Sequence, residues 1–74
     1  MRWKRGSKSK AVITLGRNER ALWDSNTIGQ ARERDAARRQ VKDLVRELMV
    51  RGFSRVEVEA PASAGNFLIE VYGQ

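Results

Sequence analysis

One stretch limits what this chain can fold into. From about Arg32 to Val50, the residues Val41, Leu44, Val45, Leu48 and Met49 recur at the three-and-four spacing of a single helical face. Ala37 extends that stripe one turn toward the N-terminus. Gly52 follows the last apolar position, where a left-handed cap residue belongs, and Phe53 can fold back on the final turn. The spacing therefore predicts one long amphipathic helix, around which the remaining segments must arrange themselves.

A step of about 100° per residue divides the polar positions of this helix into two unlike flanks. One carries Arg32, Arg38, Arg39, Lys42 and Arg46 with Asp35 among them; the other carries Glu33, Gln40, Asp43, Glu47 and Arg51. Charged flanks of this kind ordinarily only solvate a helix. The sharper expectation is that the basic flank faces a polyanion.

Segments on both sides of the helix read as strands. KAVITL at 10–15 is β-branched and apolar, and Gly16 to Glu19 supply turn chemistry. RALW at 20–23 is long enough for a short return strand. RVEVEA at 55–60 alternates with period two, FLIEVY at 67–72 forms its partner, and Gly65-Asn66 signals the turn between them. Pairing Ala60 with Phe67 sets Val58 opposite Ile69, Val56 opposite Val71 and Glu57 opposite Glu70, leaving an acidic outer face. The predicted fold is α+β: a single antiparallel sheet with one helix packed across one face, in the order ββαββ, or βαββ if residues 20–23 form no strand. Between Thr27 and Arg32 the helix start is open. Thr27 with Gln30 fits a capping box, whereas Gly29 is a natural break.

With 74 residues the chain has room for one domain and one small core. The net charge of +6 is unevenly spread. Residues 1–10 hold five basic side chains and no acid, whereas residues 11–74 hold ten basic and nine acidic ones. Residues 1–10, MRWKRGSKSK, show no apolar periodicity and are expected to be a flexible basic arm preceding a domain at 11–74. Trp3, flanked by Arg2, Lys4 and Arg5, could stack on a base or wedge between bases.

Catalysis is not expected. The sequence contains neither histidine nor cysteine, which removes the commonest acid–base group and the softest nucleophile. Glu57, Glu59 and Glu70 could cluster, but period-two glutamates ordinarily form the wet face of a strand, so no metal and no cofactor is expected. No phosphate-binding glycine loop is present, nor the aromatic motif of an RNA-recognition sheet, the GxxG of a KH domain or zinc-finger ligands. No run is long enough to span a membrane and no signal-peptide pattern stands at the N-terminus, so a cytoplasmic protein is expected.

Two functions compete. The first is nucleic-acid association, with DNA or RNA held by the arm (Arg2, Trp3, Lys4, Arg5, Lys8, Lys10) and by Arg32, Arg38, Arg39, Lys42 and Arg46 of the helix. The second is protein interaction. It would be either a homodimer, suggested by the small core and the complementary helix flanks, or a small phage or bacterial inhibitor or adaptor of a host protein.

Overall fold

The computed structural model describes residues 1–73. The long helix predicted from its apolar stripe is α2, Ala31–Val50. Val41, Val45 and Leu48 are buried along it, with Leu44 and Met49 half-buried at the margins. Its C-terminus closes as expected. Gly52 takes φ +111°, its N–H donates to the Met49 carbonyl (3.1 Å), and the Phe53 N–H donates to the Leu48 carbonyl (3.2 Å). This is the paired hydrogen bonding of a Schellman cap, and it turns the Phe53 ring inward to 5% exposure. At the other end the helix begins irregularly. Ile28–Gln30 form a single 3-10 turn, and the Ser25 hydroxyl donates to the Gln30 side-chain carbonyl (2.8 Å) while accepting from the Thr27 N–H (3.3 Å). The capping-box bond expected from Thr27 is absent there.

Four strands form one sheet in the order β1-β2-β3-β4: β1 at Arg2–Arg5, β2 at Lys10–Thr14, β3 at Arg55–Ala62 and β4 at Gly65–Gly73. The ββαββ order, with the long helix on one face of one sheet, is thus present. Three expectations are corrected within it. Residues 20–23 are the last turn of a short helix, α1 at Arg17–Trp23, not a return strand. Gly16, expected in a turn, starts this helix, and its N–H donates to the Glu19 carboxylate (2.6 Å). Arg20 and Asp24 then pair at the i,i+4 spacing (2.6 Å), and Ala21 and Leu22 between them are good helix formers.

The partner strand of β2 lies instead within residues 1–10, where an arm was expected. Lys8 and Ser9 adopt φ of +50° and +61° in the turn that brings β1 back along β2. The third correction follows from the first. With 20–23 helical, the chain leaves β2, crosses over the sheet through α1 and α2, and returns in β3 alongside β2. A helical crossover of that kind joins parallel neighbours, and β2 and β3 are parallel, Ala11 beside Val56 and Ile13 beside Val58. The sheet is mixed, with antiparallel hairpins at both edges.

One layer of apolar side chains lies between the sheet and the helices. Ala11, Ile13 and Leu15 from β2 and its end meet Val56, Val58 and Ala60 from β3, Trp23 from α1, and Val41, Val45 and Leu48 from α2. Ile13, Leu48, Val56 and Val58 are fully buried.

Candidate functional site

A β-bulge between Val58 and Glu59 re-aims the last strand. Beyond it Val58 pairs with Glu70, Glu57 with Val71 and Val56 with Tyr72. The expected opposition of Glu57 and Glu70 is therefore not formed. Glu70 and Tyr72 lie on the helix side, where the Tyr72 hydroxyl donates to the Glu70 carboxylate (2.6 Å). Burial and that bond push the Tyr72 hydroxyl pKa well above its ordinary value. Val71 and Leu68 lie on the open side with Glu57 and Glu59.

The open side is not the acidic face expected from a simple register. Arg2 and Lys4 project from β1 on this side, opposite Thr14 and Val12, and Lys10 and Arg55 flank Glu57. Glu57 meets Arg55 at 2.9 Å and Lys10 at 3.4 Å. The Arg55 hydrogen bond, aided by Lys10 and opposed by desolvation, holds the Glu57 carboxyl below the usual carboxylate value. Glu59 accepts from the Thr14 hydroxyl (3.1 Å) and the Asn66 amide (3.3 Å). Arg2, Lys4, Thr14, Glu59 and Asn66 line a shallow concavity of about 340 Å3. With Glu70 on the other face, the three glutamates considered as a cluster are not gathered.

The basic residues expected to form one path occupy separate surfaces. Arg2, Lys4 and Lys10 face the open side. Trp3 and Arg5 point to the helix side and cover Phe53: the Trp3 ring stands edge-on to Phe53 with centroids 5.6 Å apart, and the Arg5 guanidinium lies 4.8 Å from the same ring. Arg51 in turn sits 5.8 Å from the Trp3 ring. Lys8 is exposed in the β1–β2 turn. Arg38 is half-buried and built into the fold. It donates from Nη2 to the Trp23 carbonyl (2.6 Å), with its guanidinium 5.3 Å from the Trp23 ring. Arg32, Arg39, Lys42 and Arg46 are exposed on α2.

The two flanks of α2 face opposite edges of the sheet. Glu47 pairs with Arg51 (3.0 Å), which lies over Trp3 of β1, so the acidic flank looks toward the β1 edge. Lys42 and Arg46 look toward β4. Together with Val45, Met49, Val50 and Tyr72 they line a groove of about 490 Å3 between α2 and β4. Sequence reasoning did not single out this groove. A signal was present: β4 has one charged side chain, Glu70, in nine residues.

No protein-family model, curated protein or solved structure matches the chain. Among the described residues no helix is long and apolar enough to cross a membrane.

Proposed function

We propose that this chain is a non-enzymatic protein-interaction module that engages its partner through the open edge of β4. The observation that carries this reading is the contrast between the two edges of the sheet. β1 has Arg2, Lys4 and Arg5 among its four residues, and charged side chains are a usual means of keeping a free edge from pairing. β4 is nine residues long and exposes Phe67, Leu68 and Val71 at 42%, 52% and 38%. A long apolar edge offers unpaired backbone groups and side-chain area to an incoming strand. The absence of histidine and cysteine supports the non-enzymatic part of the reading, and a cytoplasmic setting goes with it.

The test compares two double variants outside the core as affinity baits. Proteins retained by the unaltered chain should be lost from Leu68→Lys with Val71→Lys and kept by Arg2→Ser with Lys4→Ser. The opposite pattern would refute the role of β4.

Nucleic-acid association is the second reading, and one observation favours it. Arg2, Lys4, Lys8, Arg32, Arg39, Lys42 and Arg46 make no ion pair among the described residues. Cations left without carboxylate partners are available to phosphates. The division of these cations between the two sides of the sheet makes this the weaker of the two readings.

A further inference from the structure

Resting on the protein-interaction reading, we propose that the β4 edge takes an extended peptide segment of a partner protein in which apolar and acidic residues alternate. A strand added to β4 would lie beneath the flank of α2 that carries Lys42 and Arg46. Its side chains would alternate between two environments. One set would fall on the open side, beside Leu68 and Val71, both exposed and apolar. The other set would enter the groove between α2 and β4, whose floor is Val45, Met49 and Tyr72 and whose rim is Lys42 and Arg46. Glutamate suits that second position, because its methylenes can cover Met49 while its carboxylate reaches the rim.

Charge decides the occupant. Lys42 and Arg46 are exposed and make no ion pair among the described residues. The one carboxylate of β4, Glu70, is engaged by the Tyr72 hydroxyl. Glu47 of α2 lies on the far flank, toward β1, and Asp35, the one acid on the basic flank, is paired with Arg34 (3.4 Å). A second copy of this chain placed edge to edge on β4 by a twofold axis would set the basic flank against itself, cation facing cation. An acidic strand meets the same surface with opposite charge, which lowers the cost of docking and discriminates against basic segments.

The experiment uses short blocked peptides of alternating valine and glutamate, and of alternating valine and lysine, titrated into the full chain and followed by backbone amide NMR. The valine–glutamate peptide should give saturable shifts along residues 65–73 and 42–50 and slow the hydrogen exchange of β4 amides. The valine–lysine peptide should bind about tenfold more weakly. Lys42→Glu with Arg46→Glu should reverse that order, and a thermal melt of the variant reports whether it is folded. Equal binding of the two peptides, or shifts confined to β1, would overturn the proposal. Concentration-dependent self-association with protected β4 amides, and no peptide binding, would also overturn it, while leaving β4 as an interaction edge occupied by a second copy. If neither peptide binds and no self-association occurs, both this proposal and the reading of β4 as a docking edge fall.

Discussion

Gly73 is held where no other residue fits easily. Its φ is +86°, and a Cβ built there would overlap the Ser54 carbonyl oxygen and crowd the Met49 side chain at 3.1 Å. Both the backbone conformation and the close approach of β4 to the turn after α2 need glycine. Gly73→Ala should therefore destabilise the fold by about 1–3 kcal/mol, read from urea unfolding; an unchanged midpoint would mean that the last residues of β4 do not pack as described. Glu57 makes a different kind of contribution. Its folded-state pKa is lowered, first by the hydrogen bond from Arg55 and further by Lys10. A lowered carboxyl pKa gives stability that is fully present above the unfolded value, about 4.3, and is lost as pH falls through the folded value. Thermal melts at a series of pH values should show Glu57→Gln less stable than the unaltered chain at neutral pH. The variant should also lose less on acidification below about pH 4.3. Parallel acid limbs for the two proteins would show that this carboxylate does not contribute.

The α2 stripe grades its own residues. Leu48 is 0% exposed at its centre, whereas Leu44 lies at the margin of the core. Leu48→Ala should cost about 2–5 kcal/mol, enough to unfold so small a domain, and Leu44→Ala distinctly less. Equal losses by calorimetry would mean that the helix sits rotated from the packing seen here. This helix was readable in the sequence because its signals are local: a repeat of apolar residues, then Gly52 and Phe53 to close it. The β3–β4 hairpin was readable for the same reason, through its alternation and its glycine turn. What the sequence did not convey depends on partners far along the chain. Strand β1 has no apolar alternation of its own, and becomes a strand because β2 offers it an edge and Phe53 offers Trp3 a surface. Residues 20–23 have the composition of either element, and the Gly16–Glu19 bond with the Arg20–Asp24 pair decides for helix. The bulge after Val58 exchanges the faces of Val71 and Tyr72, which no period-two reading of β4 anticipates. The expected path is divided between surfaces for the same reason. Arg38, Trp3 and Arg5 look like free cations and a free indole in the sequence, but each is spent on an aromatic neighbour in the fold.

Across the whole molecule, the distribution of charge sets a ceiling on how the chain can bind a polyanion. Arg39, Lys42 and Arg46 follow one another along α2 over about 10 Å, and Arg32 stands two turns further along, beyond Asp35. Arg2 and Lys4 lie on the opposite side of the sheet, and the Lys10 and Arg55 beside them are tied to Glu57. One duplex cannot lie against both sides at once. Each neutralised phosphate contributes about −0.9 to the log–log salt slope on duplex DNA, so the three central helix cations give about −3. Were all five basic residues of the first ten positions joined to these three helix cations as one path, the slope would be about −7. We expect fluorescence titrations of a short duplex to give the shallow value, with affinity largely gone at about 150 mM salt. Joint substitution of Arg39, Lys42 and Arg46 by serine should flatten the slope toward zero, whereas Arg2→Ser with Lys4→Ser should leave it unchanged. Deleting residues 1–10 is not an equivalent test, because it removes strand β1 and the Trp3 cover of Phe53 along with the charge. A slope near −5 that both sets of substitutions reduce would require both sides of the sheet to grip nucleic acid, and would put that reading ahead of docking at β4.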